Sequence, residues 1–139
     1  MSTLIRPELS TNNKYWIDRH RYYELKHFCL QYKQWKKTYS ALHDLGLSRV
    51  NLSGLPGSNE HSDLTAACAI RKAEVGNRIK MVESAAMESD KELWFYIVKA
   101  VTEGYAYTQL KTMFDIPCSR DTYYDRYRRF FWLLDQYRN

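Results

Sequence analysis

The segment from Lys14 to Leu45 contains neither glycine nor proline, and its apolar and aromatic side chains recur at alternating steps of three and four residues. The members of this series are Leu25, Phe28, Tyr32, Trp35, Tyr39 and Leu42. Such spacing follows one face of an α-helix. We expect a single helix that begins after a cap at Asn12 or Asn13 and ends at Gly46. The same spacing describes a coiled-coil seam, but bulky Tyr and Trp side chains favour packing within one chain.

A linker and a second long helix are predicted next. The segment 47–60 collects glycine, proline, serine and asparagine, which is typical of a connection between helical regions. His61–Glu88 then predicts a helix capped by Ser62. Its apolar side is formed by Leu64, Cys68, Val75, Ile79, Val82 and Ala86. Gly76 lies inside this helix at a cost of about 1 kcal/mol relative to Ala, either to let another helix approach or because it is merely tolerated.

A third helical segment is expected between a cap at Ser89 or Asp90 and Gly104. The run Leu93–Val98 has strand propensity, but a single strand would lack a partner. A helix is also favoured because four apolar side chains share one helical face, namely Trp94, Ile97, Val98 and Val101. The predicted organisation is therefore all-α, with an aromatic-rich N-terminal helical segment over 1–46, the linker over 47–60, central helices over 61–104 and a separate module over 105–139.

The module over 105–139 has the order of elements of a helix-turn-helix. Thr108 is expected to cap a short helix that points Leu110 and Phe114 inward. Ile116 and the following proline then form a turn together with the preceding aspartate, and Ile116 fills the space between the two helices. Ser119 caps a longer second helix. The predicted buried stripe of that helix is Tyr123, Tyr127, Phe130, Phe131 and Leu134.

The second helix of a helix-turn-helix presents its N-terminal residues to base edges in the major groove. Arg120 and Tyr124 are therefore expected to carry sequence preference, because arginine can bridge guanine O6 and N7. Asp121 can accept from cytosine N4. Phosphate contacts, which orient without specifying sequence, suit Lys111, Arg126 and Arg138. The complete predicted DNA-binding set is Lys111, Ser119, Arg120, Asp121, Tyr124, Asp125, Arg126, Arg128 and Arg129.

The charge and the aromatic content fit this expectation. The net charge is +5 and the pI is about 9.1. Lys and Arg outnumber Asp and Glu by 8 to 4 over 1–45 and by 6 to 4 over 105–139, whereas 46–104 carries 7 against 8. The 12 Tyr, 5 Phe and 4 Trp concentrate in the two basic ends, where they can stack on single-stranded bases or form the core. A core role is favoured for a small helical protein.

Several other classes of protein are disfavoured. The odd cysteine count, Cys29, Cys68 and Cys118, without C-x-x-C spacing indicates a reducing, cytoplasmic setting with no disulfides. No apolar run reaches about 18 residues, so no membrane span is expected. His20, Glu24 and His27 share a helical face, but no second Glu-x-x-His unit completes a metal bundle. No enzyme, metal or cofactor motif was found. Cys118 beside a helix start has either a lowered pKa or, by preference, a filling role.

The chain resembles the RinA/ArpU-like late transcriptional regulators of phages of Gram-positive bacteria. The resemblance lies in the loop before Ser62, the basic stretch AIRKAEVGNRIKMVESA, and an I-P-x-S-x-x-T element formed by Ile116, Pro117, Ser119 and Thr122. It covers nearly the whole chain as a layout with few identities. It implies a C-terminal helix-turn-helix like that of sigma region 4. Departures are the many aromatics and few lysines of the last helix.

We therefore expect a sequence-specific, DNA-binding transcriptional regulator encoded by a phage or prophage. Its expected partners are double-stranded DNA, the host RNA polymerase and further copies of the chain, with no membrane. Two alternatives stay open. One is a helical protein-interaction module, such as an inhibitor or adaptor, and the other is a DNA-packaging protein resembling small terminase subunits.

Overall fold

The computed structural model describes residues 12–51 and 59–139, with side chains over 12–46 and 63–139. Every regular element in these ranges is an α-helix and none is a strand, which confirms the all-helical prediction. The helices are α1 (Arg19–Leu30), α2 (Tyr32–Asn51), α3 (Asn59–Ser89), α4 (Trp94–Glu103), α5 (Tyr107–Phe114) and α6 (Arg120–Tyr137). None of the described helices is long and apolar enough to cross a membrane.

The single N-terminal helix predicted from the sequence is divided at Gln31. Its backbone N–H donates to Phe28 at 3.2 Å, while its side-chain amide donates to the carbonyl of His27 at 3.4 Å. In a continuous helix the carbonyl of His27 would accept from the backbone N–H of Gln31, and here the side-chain amide of Gln31 replaces that backbone donor. The predicted caps were also wrong, because Asp18 accepts from the N–H of His20 at the start of α1 and α2 continues through Gly46.

The predicted linker is shorter than its sequence composition indicated. Helix α2 runs to Asn51 and α3 begins at Asn59, so both helices enter the range 47–60. The remainder of that linker, residues 52–58, lies outside the described residues, as does most of the polar N-terminal stretch. Ser62 lies inside α3, so its predicted capping role was wrong.

The end of α4 follows the sequence prediction, but its start does not, because the helix begins at Trp94 and Ser89 is the last residue of α3. Asp90 accepts hydrogen bonds from the N–H groups of Glu92 and Leu93 in the turn before the helix. Gly104 ends it in the left-handed region at φ 78°, a conformation that glycine adopts without a steric penalty. Ile97 and Val101 are buried, so the helical face predicted over the strand-like run is the one that packs.

The described chain forms two compact units. We call residues up to Gln31 together with Met81–Asn139 the terminal unit, and Tyr32–Lys80 the central unit. In the terminal unit, α1 packs against α4 and α6, and α4 packs against α5. Its core includes the completely buried side chains of Leu25, Ile97, Leu110, Ile116, Phe130 and Leu134. Burying a side chain of this size stabilises the fold by about 1.5 to 3 kcal/mol.

Helices α1 and α6 are joined by both apolar and polar contacts. The ring of Tyr22 meets that of Phe131 edge-on, with centroids 5.0 Å apart, and its hydroxyl is 2.7 Å from the hydroxyl of Tyr127. Arg21 Nε donates to Asp135 Oδ1 at 2.6 Å. Three aromatic side chains of α6 are buried in the core, namely Tyr123, Phe130 and Phe131, whereas Tyr124, Tyr127 and Trp132 are half-buried.

Candidate nucleic-acid interface

The connection between α5 and α6 is built around a buried isoleucine. Asp115 ends α5 with a left-handed backbone at φ 50°, and the N–H of Ile116 donates back to the carbonyl of Leu110 at 3.3 Å. Ile116 is completely buried, so its predicted burial is confirmed. Thr108 lies inside α5, and its predicted cap was wrong. The residue in the cap position of α5 is instead Ala106, whose backbone N–H donates to the side-chain oxygen of Gln109 at 2.8 Å.

The start of α6 is exposed and well defined. Ser119 has an extended backbone, and its hydroxyl accepts from the N–H of Thr122 at 3.3 Å, which confirms the predicted cap. Arg120 and Asp121 occupy the exposed first turn. The guanidinium of Arg120 lies 5.4 Å from the ring centroid of Tyr107, whose hydroxyl donates to the carbonyl of Cys118 at 2.6 Å. Tyr107 therefore ties α5 to the beginning of α6, a role that no sequence pattern indicated.

The rest of α6 is less accessible than a surface recognition helix. Every residue from Tyr123 to Asp135 is at least partly buried. Tyr124 stacks edge-on against Tyr123 and Tyr127, at centroid distances of 5.0 and 6.0 Å. On another side of the helix, the ring of Tyr15, from the segment before α1, packs against that of Trp132 with centroids 5.7 Å apart. The exposed surface of α6 is therefore limited to its first turn and to its last two residues, Gln136 and Tyr137.

The cationic side chains predicted to contact phosphate occupy different environments. Lys111 is exposed, and its ammonium donates to the carbonyl of Ile116 at 3.3 Å. Arg126 instead donates to Asp90 at 2.9 Å and to Asp125 at 2.5 Å. The pair with Asp90 joins α6 to the turn before α4, and the pair with Asp125 neutralises that carboxylate within α6. Arg126 is thus held in a structural network.

Arg128 and Arg129 lie on the partly buried length of α6. The Nε of Arg128 is buried and has no hydrogen-bond acceptor among the described residues. Leaving such a donor unsatisfied costs about 1 to 3 kcal/mol. The predicted set therefore separates into an exposed group and a half-buried group. The exposed group is Lys111, Ser119, Arg120 and Asp121, and the half-buried group is Tyr124, Asp125, Arg126, Arg128 and Arg129.

Two other reactive side chains that the sequence singled out, Cys118 and Glu24, are engaged in local interactions. Burial raises the pKa of the Cys118 thiol, and the nearby carboxylate of Asp90 raises it further, which fits a filling role. Glu24 pairs with Arg21 at 3.1 Å on the exposed side of α1. Among the residues that the structure describes, no three His, Cys, Asp or Glu side chains are grouped so that they could hold a metal ion.

A shallow groove in the terminal unit was not anticipated from the sequence. It has a volume of about 520 Å³ and is lined by Ser84, Met87, Glu88, Lys91, Trp94 and Tyr137. The hydroxyl of Tyr137 donates to the carboxylate of Glu88 across it. Met87 and Tyr137 are 47% and 43% exposed, so the groove offers apolar surface to a partner.

Comparison with known proteins adds no assignment. Neither a family model, nor a curated protein, nor a solved structure matches the chain.

Proposed function

We propose that the protein is a sequence-specific DNA-binding regulator that inserts the first turn of α6 into the major groove. The observation that carries this proposal is the exposed Arg120 directly after the confirmed cap at Ser119, on a helix that follows a short helix and an isoleucine-centred turn. In a helix-turn-helix these N-terminal residues contact base edges. The connecting segment here, Asp115–Ser119, is slightly longer than the usual three or four residues.

The exposed side chains divide into base and phosphate contacts. Arg120 can donate two hydrogen bonds to guanine, and Asp121 can accept one from cytosine N4. Lys111, at the end of α5, suits a phosphate, which fixes register without adding sequence information. Since Arg126 is engaged by two carboxylates, Lys111 carries more of the proposed phosphate contact than the sequence alone indicated.

The biological setting extends the resemblance to phage late regulators. We infer a role in transcription encoded by a phage or prophage, acting in the host cytoplasm on double-stranded DNA, without enzymatic activity. Host RNA polymerase and further copies of the chain are the proposed protein partners. A ring-shaped oligomer in solution would instead favour the small-terminase alternative.

Selection of bound sequences from a random duplex pool tests the proposal. We expect an enriched motif, and Arg120→Ala should relax one or two of its base pairs by about tenfold or more, since a bidentate arginine contact discriminates by about 1 to 3 kcal/mol. Arg19→Ala is a closely matched control. Arg19 is also the first residue of a helix, follows a capping side chain and lies 5.8 Å from a tyrosine ring centroid. An unchanged base ranking in Arg120→Ala contradicts the proposed recognition.

The groove beside Trp94 favours a second candidate function, a protein-interaction module. Aromatic residues and methionine are enriched at protein interfaces, and Met87 and Tyr137 expose such surface here. This function is favoured if the protein shows no salt-dependent affinity for duplex DNA while Met87→Ser abolishes capture of a purified partner such as the polymerase.

A further inference from the structure

The fold concentrates the positive charge of the chain in the central unit. Tyr32–Lys80 contains eight Lys and Arg against four Asp and Glu, whereas the terminal unit contains thirteen against twelve. The central unit therefore holds +4 of the net charge of +5. A unit of this charge attracts polyanions through its summed field, independently of any sequence preference.

Part of this charge lines a cleft between α2 and α3. Tyr39 of α2 lies so close to Gly76 of α3 that a Cβ added at the glycine would be 3.2 Å from the ring. The ammonium of Lys72 lies 5.1 Å from the centroid of the same ring and 2.8 Å from Nδ1 of His43. Gly76 thus permits a close approach of the two helices, one of the two roles considered for it from the sequence.

The cleft has a volume of about 300 Å³ and is lined by Tyr39, Ala69, Lys72, Ala73, Gly76, Asn77 and Lys80. Lys72 and Lys80 are separated by two helical turns, so their backbones are about 12 Å apart along α3. Asn77 adds an amide donor between them. Two ammonium groups and an amide along an open cleft present several separated donors to acceptor oxygens, and none of the described residues that line the cleft carries a carboxylate.

We propose that this cleft, defined by Lys72, Asn77 and Lys80, binds the phosphate backbone of duplex DNA. The proposal rests on the proposed function for the identity of the polyanion, and adds a second, sequence-independent contact surface to it. A spaced series of phosphates matches the separated donors. Membrane-binding helices instead combine lysines with a continuous large apolar face. The apolar part of the lining here is limited to the ring of Tyr39 and the small side chains of Ala69 and Ala73. The terminal unit, with its nearly balanced charge, then supplies base recognition while the central unit supplies much of the electrostatic affinity.

The slope of log affinity against log salt for the full chain on a random-sequence duplex tests this surface. Each phosphate contact contributes about 0.9 to the slope, so Lys72→Gln with Lys80→Gln should reduce its magnitude by about 1.8, and Lys80→Gln alone by about 0.9. Lys72→Arg with Lys80→Arg should retain the slope. The matched control is Lys26→Gln with Lys91→Gln, which removes the same charge from exposed positions of the terminal unit. Circular dichroism and the unfolding midpoint verify that each variant folds.

An unchanged slope in the Lys72/Lys80 glutamine variant, or an equal fall in the control, overturns the proposal. Binding to vesicles containing anionic lipid that exceeds DNA binding, and that depends on the same lysines, also overturns it in favour of a membrane surface. The two proposals fail separately. Loss of slope without any enriched sequence retains the cleft and removes sequence-specific recognition. An enriched sequence that depends on Arg120, with unchanged slopes in the lysine variants, retains sequence-specific recognition and removes the cleft as a DNA contact.

Discussion

Replacing Asp90 should weaken the terminal unit, because this carboxylate joins the turn before α4 to α6. One oxygen accepts from the N–H of Glu92 at 2.8 Å and of Leu93 at 3.0 Å, and the other accepts from Arg126 Nε at 2.9 Å. Asp90→Ala removes all three hydrogen bonds. Asp90→Asn retains an oxygen for the two amides and removes the negative charge.

The loss of the backbone hydrogen bonds and the loss of the ion pair with Arg126 can be given separate magnitudes. Asp90 accepts from backbone N–H groups as a helix-capping side chain does, and losing such a side chain lowers the free energy of unfolding by about 1 kcal/mol. The side chains of Arg126 and Asp90 are 35% and 19% exposed, so solvent screening limits their ion pair to about 0.5 to 1 kcal/mol. We therefore expect Asp90→Asn to lower the free energy of unfolding by about 0.5 to 1 kcal/mol and Asp90→Ala by about 1.5 to 2 kcal/mol.

The same contacts predict how the effect changes with pH. Burial raises the pKa of Asp90, but the hydrogen bonds from the Glu92 and Leu93 amides and from Arg126 outweigh it and hold the pKa below its ordinary value of 3.8. The unfolded chain therefore takes up this proton at a higher pH than the folded chain does. The stabilisation is complete well above pH 3.8 and is lost as the pH falls through the folded-state pKa.

Urea unfolding of the wild type and both variants, at neutral pH and at several values below 3.8, measures these differences. The gap between the wild type and Asp90→Asn should shrink as the pH falls. Asp44→Asn, which changes an exposed aspartate of α2, is the control and should leave the midpoint nearly unchanged. A gap that stays constant with pH, or an alanine variant no less stable than the asparagine variant, would refute the assigned roles.

Three further substitutions test the packing and the turns. Phe130→Ala should cost about 3 to 5 kcal/mol in urea unfolding without altering the ranking of DNA sequences; a changed ranking would place this buried ring at the interface. Gly76→Ala should change the free energy of unfolding by less than about 0.5 kcal/mol, because the better helix former crowds the ring of Tyr39. In a Tyr39→Ala background, where the ring is absent, the same change should raise the free energy of unfolding by about 1 kcal/mol. Equal effects in both backgrounds would contradict the close contact. Asp115→Gly should raise the free energy of unfolding by about 0.5 to 1 kcal/mol, because glycine adopts the left-handed backbone without strain, and the thermal midpoint should rise with it. Asp115→Ala should not raise the midpoint, and a lower midpoint for the glycine variant contradicts this reasoning.

Local patterns predicted much of the C-terminal module. The cap at Ser119, the buried Ile116 and the end of α4 at Gly104 depend on interactions within a few residues, and all three are present. Caps at Ser62 and Thr108 were wrong because serine and threonine are also tolerated inside helices, so the residue type alone does not locate a helix start. The division at Gln31 was missed for the same reason, since glutamine is a good helix former.

The candidate interface was less predictable than the helices that carry it. The residue types of α6 indicated a cationic outer face, but the partial burial of that face depends on contacts with α1, with the segment before it and with the turn before α4. Arg126 was assigned to phosphate because the sequence does not reveal that Asp90, thirty-six residues earlier, lies beside it. Tyr15 on Trp132 is a contact of the same kind.

The sequence by itself determined that this chain is helical, where several of its helices end and which side chains are apolar enough to form a core. These properties follow from backbone preferences and from periodicity, which act over one or two turns. The tertiary structure alone decided which charges lie together. Along the chain the two ends are basic, but folding groups the nearly neutral 1–31 and 81–139 into one unit and leaves the excess charge on 32–80. Electrostatic attraction depends on distance in space, so which charges act together was decided only when the helices were packed.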